Sequence, residues 1–491
     1  MVDRFNHKCG EIYSQGYVYI FDFKSTVFLN LAKENPLCRA AKRRIQVLKF
    51  ISENEKRDCC EWNGVTCNGF TGHVIGLDLS SSCLSGTIHA NNSLTKLVHL
   101  QRLNLAFNEL NGFPLGNSIS ELTSLTHLNL LDSGFLKGKM IPPGLSKLSK
   151  LISLDLTWNF IQVGQTTLRS FLHNLTNLEV LLFRNVHAPF ELPNNFPSSL
   201  RKLSLEGTDM FGNITDSQLF HLPNLQVLRL GWNPLITGTL LNFNWSFSKS
   251  ILELDFSHTG IFGKVPDSIG NLHSLCYLDL SSNSLSGSIP ESFGNLTAVT
   301  ELTLTGNSFT GLIPKSIGNL TAITQLKLST NSFTGTVPSS IRKLNKLHSL
   351  SLSLNNFEGP IPDIFANFSE LDTLDFKRNN FTGPFPYSIA TLTRLASLEL
   401  QNNSLTGPLP SNISGLQELY NLDLSFNYFT GTTPPWLFLL PSLLNLYVQH
   451  NQFTGLPNEL KRSSSDFTDV NLSYNQLLCK TRMEFNGFVV A

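Results

Sequence analysis

The sequence predicts an α/β solenoid, a superhelix whose concave side is lined by a parallel β-sheet, and three observations predict it. The first is repetition. "NLHSLCYLDLSSNSLSGSIPESFG" fills residues 271–294, and "NLTAVTELTLTGNSFTGLIPKSIG" follows without a gap at 295–318. Aligned on L-x-x-L-x-x-L-x-L-x-x-N, the last position falls at Cys83, Asn108, Ser133, Asn159, Val186, Thr208, Asn233 and Thr259. It continues at Asn283, Asn307, Asn331, Asn355, Asn379, Asn403, Asn427, Asn451 and Asn475. The early intervals vary between 22 and 27 residues, and from Thr259 onward every interval is 24. Fixed periods in this range mark stacked repeats. The second observation is length, because 491 residues exceed one ordinary core. The third is alternation within each unit, which gives a strand with one buried face.

In "YLDLSSN" (277–283), Leu278 and Leu280 alternate with Tyr277, Asp279 and Ser281. So short a strand cannot bury its leucines alone, but stacked copies about 4.8 Å apart can. The turn after the strand leaves inward-pointing backbone groups, and an Asn at each turn carries the donor and acceptor that satisfy them as a ladder. Cys83, Ser133, Thr208 and Thr259 are small partial substitutes. Val186 cannot hydrogen-bond through its side chain and sits where the interval swings from 27 to 22, which predicts a local irregularity. Gly and Pro in "LSGSIP" then turn the chain towards the outer side.

Lys plus Arg and Asp plus Glu number 36 each, a balance that argues against nucleic acid or an anionic membrane as main partner. The sequence contains no phosphate-binding Gly-rich loop, G-x-S-x-G elbow, H-E-x-x-H or kinase signature, and its twelve histidines are scattered. No catalytic residue, cofactor or metal is expected. Nor does any run reach 18 uninterrupted apolar residues; "WLFLLPSLLNLYV" (436–448) is shorter and broken by Pro441.

The pattern L-x-x-L-x-L-x-x-N-x-L-x-G-x-I-P resembles the plant-specific leucine-rich repeat over 73–478, about 17 units. Before it, "CCEWNGVTCNGFTGHVIGLDLS" (59–80) is similar to the N-terminal cap of plant leucine-rich-repeat receptor-like proteins, receptor kinases and polygalacturonase-inhibiting proteins. The run "GLDLSSSCLSGTIHANNSLTKLVHLQRLNLAFNEL" most resembles receptor-like proteins of the tomato leaf-mould-resistance type. The organisation that follows is an unassigned segment over 1–37, a cap over 38–72, the repeats over 73–478 and a non-repeat tail over 479–491. The resemblance implies disulfides Cys38–Cys59 and Cys60–Cys67 around Trp62, hence the secretory route. A zinc site is the alternative for these cysteines, though Cys-Cys-x6-Cys lacks the paired spacing of zinc knuckles. Cys83 and Cys276 lie in repeats as expected free thiols, and Cys9 and Cys479 have no evident partner.

The ends depart from the family. "GYVYIFDFKSTVFLNLA" is interrupted by Asp22 and Lys24 and does not read as a leader peptide. The chain stops just after its seventeenth ladder position, where relatives continue into a membrane helix. An incomplete gene model, a truncated allele and a secreted fragment are open explanations.

The residues between the inward leucines face the concave side. At this phase repeats nine to twelve carry mostly Ser, Thr and Asp. Repeats four to eight instead carry Trp158, Arg184, Arg201, Lys202, Glu206, Arg229, Trp232 and His258, and aromatic and Arg side chains are the types that carry binding energy. A second, weaker group is Lys377, Arg378, Phe426, Tyr447 and Tyr474. Of the N-x-S/T triplets, Asn174, Asn295, Asn319 and Asn367 each lie twelve residues before a ladder position and share one flank, whereas Asn402 and Asn471 fall on the concave face. The resemblance implies an extracellular ligand-recognition protein of plant defence at the plasma membrane or in the apoplast. It would bind a peptide, protein or glycan and signal through a partner receptor kinase. The alternatives are a secreted inhibitor of a pathogen cell-wall hydrolase, like polygalacturonase-inhibiting proteins, and a truncated non-functional copy.

Overall fold

The computed structural model describes residues 59–477, apart from 83, 87–92, 111–115, 135–140, 160–164, 187–188, 216, 242–244, 246–249, 414 and 458–466, together with 483–485 and 488–490. Cys9, Cys38, Cys83, Cys479 and the whole segment 1–37 lie outside the described residues. The chain divides into two compact units, Met1–Thr237 and Gly238–Ala491.

In the first unit the strands Val74–Asp78, Arg102–Asn104, His127–Asn129, Ser153–Asp155, Val180–Leu182, Lys202–Ser204 and Val227–Arg229 run parallel and in register. Their central residues Leu77, Leu103, Leu128, Leu154, Leu181, Leu203 and Leu228 form one buried file. In the second unit ten strands from Glu253–Asp255 to Asp469–Asn471 repeat the arrangement, with Leu254, Leu278, Leu302 and their successors stacked in register. Each unit is a stretch of solenoid. A strand of three residues turns one leucine inward and its two neighbours outward, and each fully buried leucine stabilises the stack by about 2 kcal/mol.

The asparagine ladder forms as the repeat predicts. Asn331 Nδ2 reaches Leu304 O of the preceding repeat at 2.9 Å and its own Leu328 and Ser329 carbonyls at 3.2 and 3.1 Å, while its Oδ1 accepts from Phe309 N at 3.0 Å. The same pattern corrects the first ladder position. Asn108 reaches back to Leu79 O and accepts from Leu84 N, and Ser81 holds the left-handed conformation that precedes a ladder residue. The position is therefore Ser82, one residue before Cys83. Thr208 behaves as a partial substitute: its hydroxyl donates to its own Leu205 O at 2.9 Å and to Asn233 Oδ1 at 3.1 Å.

The irregularity at Val186 lies on the return side and not in the sheet. Strand register across it is unbroken, from Leu154 to Leu181 to Leu203. The 27-residue interval instead holds Gln165–Asn174, the one α-helix among the described residues. Many of the other return segments are short 3-10 turns entered from a proline, such as Glu291–Asn295 after Pro290 and Lys315–Asn319 after Pro314, whereas Gln218–His221 is entered from Ser217 and Phe365–Asn367 from Ile364. They pack closely: a Cβ on Gly294 would stand 2.6 Å from Ser316 O.

Where turns were expected after the ladder, a second parallel sheet runs. In the second unit it includes Ser308–Gly311, Ser332–Gly335, Asn356–Pro360 and Asn380–Gly383. The signal was an alternation one residue long on each side: in "SFTG" the Phe is buried and its neighbours are exposed. Phe309, Phe333, Phe357 and Phe381 stack along it with ring centroids 6.0 to 6.1 Å apart.

At the N-terminal end Val65–Cys67 pairs antiparallel with Val74–Asp78, Cys60 is bonded to Cys67, and Trp62 and Cys59 are buried. The three sulfurs lie within 4.8 Å of one another, but two of them are joined in the disulfide and are not thiolates for a metal. Cys276 carries a thiol, directed at Ser274 O. Met483–Phe485 and Phe488–Val490 form a small antiparallel pair in the tail. Among the described residues no helix is long and apolar enough to cross a membrane.

Candidate functional site

Each repeat bends sharply between its strand and its ladder residue, and the residue at the bend is left-handed. In the first unit this row reads Phe107, Asp132, Trp158, Asn185, Gly207 and Trp232, with φ between +45° and +60°. The conformation is costly for a bulky L-residue. It is held because each bend N–H donates to a carbonyl of the next repeat, as Trp158 N does to Arg184 O at 2.8 Å. The bend leaves large side chains in solvent: Trp158 is 57% and Trp232 60% exposed. Both indoles, expected on the strand itself, thus stand on the turn just after it, since their strands end at Asp155 and Arg229.

The neighbouring row carries charge. Glu206 is buried and faces two arginines: Arg184 Nε stands 2.5 Å from its Oε2, and Arg229 Nη1 stands 3.5 Å from its Oε1. These are charge contacts without aligned hydrogen-bond geometry at Arg184 Nε or Glu206 Oε1. The carboxylate thus sits between two guanidinium charges. The structure therefore brings together Arg184, Glu206 and Arg229, with Trp158 on the bend of the repeat before Arg184 and Trp232 on the bend of Arg229's own repeat. Arg201 and Lys202 lie at the opposite end of their strand, where Arg201 Nε meets Glu179 Oε2 at 3.2 Å with both side chains exposed. His258 holds the equivalent bend in the second unit. Asn185 and Gly207, which occupy the bend row between the two tryptophans, escaped the sequence reading because neither is a typical binding residue; their place in the 22-to-27-residue register was the available signal.

The second unit has its own strand-face network. Lys377 Nζ meets Glu399 Oε2 at 2.5 Å and Asp375 Oδ2 at 3.9 Å. Burial, the largest influence on it, lowers the Lys377 pKa, but the Glu399 hydrogen bond and the Asp375 charge outweigh it and raise the ammonium above its ordinary value. Tyr447 donates to Asp469 Oδ2 at 2.7 Å, and this bond, with burial and the carboxylate charge, pushes the phenol up to about 12. On the bend row Phe426, His450 and Tyr474 stack face to face, at 4.3 and 4.2 Å. His450 is the middle ring of that stack.

A leucine-rich repeat region family model matches residues 251–453. Receptor-like protein 6 of Arabidopsis thaliana is 37% identical over 236 residues, 46% of this chain and 23% of that protein. The Receptor-like protein Cf-9 homolog of Solanum lycopersicum is 36% identical over 223 residues, 45% of this chain and 26% of that protein. The chain is a leucine-rich-repeat protein of the plant receptor-like type. It matches only about a quarter of the length of these curated relatives. The crystal structure of a TDR receptor superposes on this receptor-like repeat chain with a TM-score of 0.65 at 31% identity, covering 88% of this chain and 69% of that one. The Arabidopsis receptor kinase HAESA, crystallised in complex with the peptide hormone IDA and the co-receptor SERK1, gives 0.51 at 25% identity, covering 90% and 93%.

Proposed function

We propose that this chain is the ligand-recognition part of a plant receptor-like protein, acting in defence at the cell surface through a partner receptor kinase. Its strand face in the first unit takes an extracellular peptide, protein or glycan. The observation that carries the reading is the pair of exposed tryptophans, Trp158 and Trp232, on one row beside the Arg184–Glu206–Arg229 contacts. Exposed indoles beside braced arginines offer large buriable area and directed hydrogen bonds, the properties of binding hot spots. They lack the nucleophile–base pair that catalysis would need. A structural neighbour with a peptide and a co-receptor on the same kind of scaffold supports the mode of action. The four flank sequons are read as glycan sites, and the one in the first unit, Asn174, ends the return-side helix and lies off the bend row that carries the indoles. The test is expression of the full-length gene product in leaf tissue challenged with a microbial culture filtrate. The Trp158→Ala/Trp232→Ala variant, accumulating to wild-type level, is expected to lose the oxidative response; a wild-type response in that variant overturns the site.

A further inference from the structure

One N-x-S/T triplet differs from the other described ones in what stands beside it. In "FGNIT" (211–215) a phenylalanine lies two residues before the asparagine. The same spelling recurs at "FGNLT" (293–297) and "FANFS" (365–369). There Phe293 and Phe365 belong to 3-10 turns and are fully buried, so neither ring can meet a sugar. Phe211 belongs instead to the strand Phe211–Asn213 and is 41% exposed. At the remaining described sequons the residue in this place is buried or charged.

Residues two apart on a strand share a face. Phe211 and Asn213 are both exposed, with Gly212 less so between them. The neighbouring parallel strand, Asn233–Thr239, alternates in step: Leu235 and Thr237 are exposed on either side of buried Ile236. Its register pairs Leu235 with Phe211 and Thr237 with Asn213. Leu235, 62% exposed, is therefore about one strand spacing, roughly 4.8 Å, from Phe211 on the same outer face. The result is an apolar pair with a sequon asparagine at its edge. The Asn213 carboxamide is held there, because its Oδ1 accepts from Thr215 N at 2.8 Å. That bond engages the oxygen and leaves clear the amide nitrogen, the atom that carries an N-linked sugar.

We propose that Asn213 carries an N-linked glycan whose first N-acetylglucosamine lies over Phe211 and Leu235. The donor is a lipid-diphosphate-linked oligosaccharide of the secretory route. Asn213 Nδ2 forms a C–N bond to the anomeric carbon, the diphosphate leaves with the C–O bonding pair, and Nδ2 gives up one proton to the transferring enzyme. A pyranose ring presents a face of C–H groups, and their partial positive charge suits the negative face of an aromatic ring. Covering the pair also removes apolar surface from water. The proposal rests on passage through the secretory route, which the proposed cell-surface role also requires.

The test begins with glycopeptide mapping of the full-length gene product expressed in plant cells, where Asn213 is expected to be occupied. Thermal melts then compare wild type, Asn213→Gln, Phe211→Ser and the double variant, using material glycosylated at Asn213 wherever the sequon is intact. Both positions are exposed, so each variant is expected to fold. With Phe211 present, Asn213→Gln lowers the melting temperature by about 1–2 °C. With Phe211→Ser the same change has no effect, and comparing the two backgrounds cancels whatever Asn→Gln costs by itself. An equal loss in both backgrounds overturns the contact. A bare Asn213 on a chain whose Asn295 and Asn319 carry sugars overturns the assignment and leaves the cell-surface reading standing. A chain with no sugar at any sequon removes both.

Discussion

Asp423 lies on a strand flanked by Glu399 on one side and Tyr447 on the other, in register with both. Its Oδ1 accepts from Ser425 N at 2.9 Å and Ser425 Oγ at 2.6 Å, and these bonds favour the carboxylate. Burial works the other way and is the larger effect, so the carboxyl is held above its ordinary value of 3.8. A carboxyl whose folded pKa is raised contributes most to stability below 3.8, and that contribution is lost as pH rises through the folded value. At neutral pH the buried charge is thus a cost. Asn at this position keeps an oxygen acceptor for both Ser425 donors and removes the charge. Asp423→Asn is expected to melt at or above wild type at pH 7, with the difference shrinking as pH approaches 4. Thermal melts across that range check it, and a variant that melts lower at pH 7 contradicts it. Nothing in the spelling "LDLSFN" distinguishes this aspartate from its neighbours in other repeats; its burial and its distance from Lys377 are properties of the stack.

The ladder is the element most readable from sequence. Leu and Asn at fixed phase dictate an inward file and an inward hydrogen-bonding turn, and both appear where the spacing puts them except at the first position, which is Ser82 and not Cys83. The second sheet was less readable because its strands are short and end in glycine, which composition alone assigns to turns. The strict test of the ladder is Asn355, whose Nδ2 reaches Leu328 O, Leu352 O and Ser353 O at 3.0, 3.0 and 3.1 Å and whose Oδ1 accepts from Phe333 N at 3.0 Å. Alanine leaves Phe333 N buried without its acceptor, while Leu328 O keeps only Asn331 Nδ2. At roughly 1–3 kcal/mol for an orphaned buried group, Asn355→Ala is expected to destabilise by about 2 kcal/mol. Threonine, as found at Thr208 and Thr259, still satisfies its own repeat's carbonyl. Asn355→Thr is therefore expected to cost clearly less. Urea unfolding of the two variants measures the gap, and equal losses would mean that the own-repeat bond contributes little and the cross-repeat bonds carry the loss. Val186 fits this account: it fills the same site with apolar volume, is fully buried, and leaves the strands in register. The sheet tolerates one missing rung because leucine stacking on either side carries it.

Across the molecule, the bend row and the flank sequons mark different faces of each unit. Asn174 ends the α-helix, and Asn295, Asn319 and Asn367 end 3-10 segments of the return side; all four are exposed. Their common phase was legible because twelve residues is half a repeat. Asn402 differs, being exposed on the bend row itself at φ +57°, one repeat before Phe426. A glycan there would stand beside the Phe426–His450–Tyr474 stack, whereas Asn174 and Asn213, the described sequon residues of the first unit, lie off its bend row. This asymmetry separates the two candidate surfaces. If the ligand sits on the Trp158–Trp232 row, protein secreted from plant cells should bind it equally well with Asn402→Gln, and also with Gln at Asn174, Asn295, Asn319 and Asn367 together. If the aromatic stack of the second unit is the binding face, removing the Asn402 glycan uncovers it and raises affinity. Glycopeptide mapping first establishes that Asn402 is modified, and the filtrate response of the two glycan variants then decides. A gain confined to Asn402→Gln would move the recognition surface to the second unit.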